Sequence, residues 1–268
     1  MERIDRLLFI KGIFPSREKA QDAINHRTVK VNGSVVDKPS KMVDENVEIE
    51  VVDIFNRYVS RGGLKLEKAI ADFGLEFAGK NVLDIGASTG GFTDCALKHG
   101  ATFCYCIDVG TNQLHNDLRN DPRVVFIEQK DFRDLKTQDV DNKQFDFIVA
   151  DLSFISLTYL FPYLKPFLKE SGELILLIKP QFEAGASFLN KSGIVIDDKA
   201  YKIAIQKVAT EALNHNFYLQ NLTLSTLFEI TKNVEFLSRF SSQNNQFKVD
   251  FQQISEDIRD VKKKLKKK

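Results

Sequence analysis

The 268 residues predict an α/β protein, an open and doubly wound sheet with a small α+β unit ahead of it. Three observations carry this. Short apolar runs alternate with helical patterns from Val82 onward, as strands do when crossover helices cover both faces of a sheet. The first run, Val82-Leu83-Asp84-Ile85, enters Gly86-Ala87-Ser88-Thr89-Gly90-Gly91-Phe92-Thr93, a turn that can bend sharply and admit a ligand close to its backbone. Before residue 56 the pattern differs: two short helical stretches and an Asn-Gly hairpin.

Composition sets the bounds. A hydrophobic share of 43% supplies a normal core, and a net charge of +1 gives no global field toward nucleic acid. Cys95, Cys104 and Cys106 are an odd number without a C-x-x-C, and the four histidines are scattered. Neither a disulfide framework nor a metal site is expected. The chain starts with charged residues and carries no apolar run long enough for a bilayer. A reduced, cytoplasmic protein without membrane contact is therefore expected.

In chain order, Ile4, Leu7, Leu8 and Ile10 outline a helix stopped at Gly12. Pro15-Ser16 opens a second, with Ser16 as N-cap and Ala20, Ala23 and Ile24 inward. Val29–Val31 and Val35-Val36 flank Asn32-Gly33 as a hairpin, and Val47–Val51 closes the unit. Residues 1–55 thus read as one domain. Residues 56–63 read as a linker ending in Gly62-Gly63, a loop that opens a helix over Leu64–Ile70 closed at Phe73-Gly74. The second strand, Cys104–Ile107, ends in Asp108, and Val124–Ile127 is the third. Phe145–Phe154 is a buried fourth strand that carries Asp151. Thr158–Leu168 is a helix broken by Pro162 and Pro166, and Glu173–Ile178 is the fifth strand, ending in Lys179. Residues 184–198 read as a loop. A helix with Ile203, Val208, Ala209 and Leu213 inward follows, then strands over 218–227 and 234–237. The body of the sheet domain is expected over 64–245, with 246–268 as a basic extension, an exposed helix ending in a lysine run.

The glycine turn has the form D-x-G-x-x-x-G-G, not the G-x-G-x-x-G of dinucleotide sites. Asp84, two residues before the first glycine, suits an adenosine ligand with a cationic tail, and S-adenosylmethionine is such a ligand. Gly86, Ser88, Gly90, Gly91 and Phe92 would form its cradle. Asp108, 22 positions after Gly86, stands where an acid binds ribose hydroxyls or caps a helix. Asp131 could accept from an adenine amine, or serve as a turn residue. A lysine ending a wholly apolar strand is costly unless paired, so Lys179 is expected to face the crevice of Asp151.

Two resemblances add to this reading. Arg3, Asp5, Leu7-Leu8, Ser16-Arg17, Ala20, and Val29-x-Val31-Asn32-Gly33 through Lys38-Pro39-Ser40 resemble the small RNA-binding module named after small-subunit ribosomal protein four. The resemblance implies that Arg3, Arg17, Lys19, Arg27, Lys30 and Lys38 contact structured RNA, through phosphates rather than base sequence. Residues 1–50 hold nine basic and nine acidic side chains, so this rests on pattern and not on bulk charge. The family usually has a glycine before the first hairpin strand where this chain has His26-Arg27-Thr28, so a different local turn is expected.

The sheet motifs resemble the FtsJ-like ribose methyltransferases, which have a Rossmann-like doubly wound sheet. Joined to the first unit and to Arg57-Tyr58-Val59-Ser60-Arg61-Gly62-Gly63-x-Lys65-Leu66, they make residues 3–237 similar to the TlyA family. That resemblance implies transfer of a methyl group from S-adenosylmethionine to a ribose 2′-hydroxyl, that of a cytidine, in the ribosomal RNA of a ribosomal subunit. It implies a Lys-Asp-Lys-Glu catalytic set at Lys65, Asp151, Lys179 and Glu235, with Arg61 toward RNA. Lys232 stands where the family commonly has a glycine. The competing classes are a non-catalytic RNA-binding or ribosome-associated protein, an NAD oxidoreductase, which the glycine pattern disfavours, and a cytolysin, which only the family's hemolysin names suggest.

Overall fold

The computed structural model describes residues 1–14, 16–25, 27–51, 57–226, 233–245 and 247–266. Pro15, His26, Asn56, Leu227, Lys232 and the last two lysines, on which expectations above rest, lie outside the described residues. The chain divides into two compact units, Met1–Arg57 and Tyr58–Lys268.

The first unit contains β1 (Glu2–Arg3), α1 (Ile4–Ile10), α2 (Arg17–Asn25), β2 (Val29–Val31), β3 (Ser34–Val35), β4 (Met42–Val43) and β5 (Ile49–Val51). Antiparallel strands in the order β3-β2-β5 make its main sheet, and β1 pairs with β4. Ile4, Leu7, Leu8, Ala20, Ala23, Ile24 and Val29 form the core. The Lys19 N–H donates to Ser16 Oγ at 3.2 Å, the N-cap contact that the sequence suggests. Ile10 is exposed, because at 100° per residue it falls off the stripe of Ile4, Leu7 and Leu8. α2 ends in a Schellman motif: the Thr28 N–H donates to Ala23 O at 3.1 Å and the Arg27 N–H to Ile24 O at 2.9 Å. Arg27 takes φ +59°, a left-handed value that suits glycine.

The second unit contains α3 (Gly62–Phe73), β6 (Asn81–Ile85), α4 (Gly91–Lys98), β7 (Phe103–Ile107), α5 (Asn116–Arg119), β8 (Val124–Ile127) and β9 (Phe145–Ala150). These are followed by α6 (Phe161–Leu164), β10 (Leu168–Ile178), α7 (Pro180–Glu183), α8 (Lys199–Asn214), β11 (Tyr218–Leu224), β12 (Phe236–Ser241) and α9 (Phe251–Lys266). The sheet order is β11-β12-β10-β9-β6-β7-β8. The five strands from β10 to β8 are parallel, and β12 runs antiparallel to both its neighbours. The strand order reverses around β6 and β9, which places the ligand crevice at their carboxyl ends.

Several elements differ from the sequence reading. Gly62 and Gly63 lie inside α3 rather than in a loop before it. Gly63 packs against Tyr58, where a Cβ would come within 2.4 Å of the ring, so close approach rather than chain reversal requires the glycine. The fourth strand stops at Ala150, leaving Asp151 to Phe154 as loop. The fifth begins at Leu168, with a register shift between Leu168 and Glu173 that a pattern search misses. The helix broken by prolines is confirmed as α6 with 3-10 turns at Leu157–Tyr159 and Lys165–Phe167. On α8 the inward stripe is Ala200, Tyr201, Ala204, Ile205, Val208 and Ala212, while Ile203 and Leu213 face outward. The last strand starts at Phe236 and extends to Ser241, so Glu235 precedes it. α9 is amphipathic rather than merely exposed, and its Ile258 is buried in the main core.

Candidate active site

The site lies at the carboxyl ends of β6, β9 and β10. β6 delivers Asp84 and then the glycine turn, where Gly86 takes φ +76° and Gly90 φ +91°. A Cβ on Gly91 would lie 2.2 Å from Ser60 Oγ and 2.9 Å from Gly63 N, so only glycine lets α4 start against the residues that open α3. Phe92, expected in the cradle, is buried at the start of α4 and borders the cleft.

Four charged side chains meet across distant parts of the chain. Lys65 Nζ, from α3, donates to Asp151 Oδ2 at 3.0 Å and to Glu235 Oε2 at 2.9 Å. Lys179 Nζ, at the end of β10, pairs with Asp151 Oδ1 at 2.7 Å and donates to Ser153 Oγ at 2.8 Å. All four are largely buried, yet all border one cleft of about 490 Å³. Burial by itself would raise the Asp151 carboxyl; the Lys65 and Lys179 ammoniums beside it hold it below its ordinary value. Burial would likewise lower Lys65, but Asp151 and Glu235 raise it. The set therefore consists of two cations and two anions in mutual contact, with one face open to a ligand.

Asp84 differs. Thr93 donates to its Oδ2 twice, from N–H at 3.1 Å and from Oγ1 at 2.7 Å, and among the described residues no ion pair reaches it. Burial, reinforced by the negative charges of Asp151 and Asp108, pushes its carboxyl up to about 7. A cationic ligand tail would offset that cost. Asp108 accepts from Ser88 N–H and Gly110 N–H, each at 2.7 Å, and so pins the turn in which Ser88 takes φ +49°. Asp131 caps a 3-10 turn and pairs with Arg133 through both carboxylate oxygens. Asp108 and Asp131 both border a second cavity of about 260 Å³, with Phe132, Leu152, Ile155 and Leu160 as its apolar wall. This cavity shares Gly86 and Ser153 with the larger cleft. An apolar-walled cavity bordered by two acids, sharing lining residues with a cleft that holds the buried Asp84, fits the adenosine and cationic tail of S-adenosylmethionine.

The RNA-facing candidates are dispersed. Arg3 and Arg17 both bind the buried Asp5, at 3.0 Å each. Arg27 pairs with Asp37 and Lys30 with Glu50, each at 3.3 Å. Lys19 and Lys38 are exposed. Arg61 precedes α3 and borders the larger cleft.

Sequence reasoning missed three residues next to the quartet. Ser153 holds Lys179. Phe154 is 91% exposed at φ +66° and lies 5.4 Å from the Phe182 ring. Gln181 borders the cleft with its Oε1 buried and without a hydrogen bond. Only the end of the apolar run at Asp151-Leu152-Ser153-Phe154 pointed there, and pattern alone does not reveal a strained, exposed phenylalanine.

A sheet that reverses order at a glycine turn, with an unpaired buried acid and a charged quartet at its carboxyl edge, defines an α/β methyltransferase domain. Residues 58–241 match the FtsJ-like methyltransferase family and residues 2–49 the S4 domain. The chain is 35% identical to the 16S/23S rRNA (cytidine-2'-O)-methyltransferase TlyA of Mycobacterium tuberculosis, over 91% of each. It is 41% identical to Hemolysin A of Brachyspira hyodysenteriae, over 89% of this chain and 99% of that one. A solved structure of a Streptococcus thermophilus protein described as a hemolysin aligns at a TM-score of 0.78 and 36% identity, covering 100% of this chain and 98% of the other. The chain belongs to the FtsJ-like methyltransferase family, in its TlyA group. Among the described residues no helix is long and apolar enough to cross a membrane.

Proposed function

We propose that this protein methylates the ribose 2′-hydroxyl of a cytidine in ribosomal RNA, with S-adenosylmethionine as donor, and that it does so in the cytoplasm. The observation that carries the reading is the quartet in which Asp151 joins both lysines and Lys65 joins both acids. The relatives named as rRNA (cytidine-2'-O)-methyltransferases support the substrate class. S-adenosylmethionine supplies a methyl group already activated on a cationic sulfur, so the protein has mainly to orient the acceptor and handle one proton. Asp84, Gly86, Ser88, Gly90, Gly91, Phe92, Asp108 and Asp131 would hold it.

An ammonium has three N–H donors. Lys179 donates one to Ser153 and is held beside Asp151 as an ion pair, which leaves an N–H for the acceptor oxygen. Lys179 orients the 2′-hydroxyl and lies on the route by which its proton leaves. Asp151 stays ionised, because two cations hold it so, and fixes Lys179 in place. Lys65 and Glu235 position Asp151. Orientation of this kind can contribute roughly 7–11 kcal/mol, and a general base a further factor of about 10²–10⁴. In the first unit Arg3, Arg17, Lys19, Arg27, Lys30 and Lys38, and in the second Arg61, would contact RNA phosphates.

The test is transfer of labelled methyl from S-adenosylmethionine to unmodified ribosomal subunits, with Lys179→Ala alongside. Label should enter RNA as an alkali-resistant dinucleotide. The variant should lose at least about 100-fold in rate while binding cofactor normally. Near-wild-type turnover by Lys179→Ala would overturn the role of Lys179; absence of label from RNA would overturn the function.

A further inference from the structure

The segment Lys179–Glu183 clasps the loop after β9 side chain by side chain. Lys179 takes Asp151 and Ser153, and the Phe182 ring lies against Phe154. The buried Glu183 accepts from Ser156 Oγ at 2.5 Å and from Leu157 N–H at 2.7 Å. Gln181, the remaining polar side chain of the segment, makes no side-chain hydrogen bond among the described residues, although its Oε1 is shut off from solvent. A buried amide oxygen left unsatisfied loses its hydration without replacement, so a well-packed site leaves one where something else completes the bond. The neighbouring amide, Asn233, shows the contrast: its oxygen accepts from Val195 N–H and its N–H₂ donates to Gly193 O, both at 2.8 Å.

Position in the sheet tells which ligand Gln181 meets. The groups suited to the cofactor come from the ends of β6, β7 and β8, at one side of the switch point. Gln181 follows β10, two strands from β6 on the other side, and borders the larger cleft but not the apolar slot of Asp108 and Asp131. Its neighbour in sequence at that cleft is Lys179, the group that meets the acceptor oxygen.

We propose that Gln181 reads the base of the acceptor nucleotide, its side chain turning into the cleft so that the amide oxygen, now buried, accepts an exocyclic amine and the amide N–H₂ donates to the adjacent ring nitrogen or carbonyl. A side chain that offers one acceptor and one donor side by side matches a base edge, whereas a phosphate offers acceptors alone. An unpaired base displayed by single-stranded RNA exposes such an edge. This rests on the methyl-transfer reading above.

The experiment compares the wild-type protein with Gln181→Leu and Gln181→Glu, using unmodified ribosomal subunits and labelled S-adenosylmethionine. Cofactor affinity is measured separately by equilibrium dialysis, and folding by thermal melting. Both variants should fold cooperatively and bind cofactor as well as the wild type does. Gln181→Leu should lose at least about ten-fold in kcat/KM for the subunits, as expected when a paired base contact is removed. Gln181→Glu, which keeps the acceptor and loses the donor, should fall between. Unchanged kcat/KM in both variants overturns the proposal, and so does a loss matched by weaker cofactor binding, which would place Gln181 on the cofactor. If the wild type labels no RNA, the methyl-transfer reading fails and this one with it.

Discussion

Asp5 and Asp151 are both buried aspartates that each bind two cations, and they do opposite work. Asp5 accepts from Arg3 through both oxygens, from Arg17, from Gln21 at 2.6 Å and from the Arg6 N–H at 2.9 Å. Its lone pairs are filled, and its arginines reach back to water, 41% and 46% exposed. Asp151 has lysines that are only 16% and 9% exposed, and its cluster borders a cleft. A bidentate guanidinium closes an acid off; an ammonium, with three N–H groups on a single point, leaves a donor to spare. The first arrangement ties the β1–α1 junction to α2, and the second keeps a cation ready for a substrate. Asp84 supplies a third case, a buried acid that no cation pairs with among the described residues, and its carboxyl rises instead of falling.

The largest expected effect is at the open cluster. Lys65→Met removes one of the two cations beside Asp151 and the partner of Glu235. Turnover should fall on the order of 100-fold, with the acid limb of the pH–rate profile displaced to higher pH, because Asp151 loses part of what holds it low. An unchanged acid limb would mean that Asp151 need not be ionised.

At the closed cluster the effect should be on stability and not on cofactor binding. Burial would raise Asp5, but Arg3, Gln21 and Arg17 hold it well below the carboxylate range. Its contribution is therefore present above the ordinary carboxylate value and is lost as pH falls below it. Asp5→Ala should destabilise the first unit by about 1.5–3 kcal/mol. The figure is smaller than for a sealed pair, because the half-exposed arginines can turn to water. Denaturant unfolding measures the loss, and dialysis should show cofactor binding intact.

The third acid predicts the reverse pH sign. The folded state keeps a proton on Asp84 up to about pH 7, while the unfolded chain releases it near its ordinary value, so this group makes stability decline as pH rises between those limits. Binding of a cationic cofactor needs the ionised form, so affinity should increase from pH 6 to 8. Asp84→Asn should flatten both dependences, as titration calorimetry and thermal melts across that range would show.

The smallest effect concerns Arg27, which holds the left-handed turn after α2. Arg27→Gly should relieve the strain and stabilise the unit by up to about 1 kcal/mol. If Arg27 contacts phosphate, the same change should weaken RNA binding and lower the salt slope by about 1. A stabler variant with unchanged RNA affinity would assign Arg27 to the turn alone.

Local pattern carried much of this molecule. The alternation of apolar runs placed β6 to β9, the glycine turn marked the switch point, and a lysine ending a wholly apolar strand placed Lys179 in the crevice of Asp151. Each is a short-range consequence of strand burial or backbone freedom, written within ten residues or so. The long strand β10 was only half legible because its register shift interrupts the alternation, and Ile203 and Leu213 misled because hydrophobicity does not specify which face is inward.

What the amino-acid order by itself determined is the list of elements, the glycine turn and the residues able to do the chemistry. Tertiary structure alone decided their partners. Lys65 meets Glu235 across 170 positions, Arg3 and Arg17 are drawn to one buried acid, Phe154 is turned out, and Gln181 is left without a bond. Such pairings depend on which strand lies beside which and on how much water remains, and neither is encoded in any one stretch of the chain.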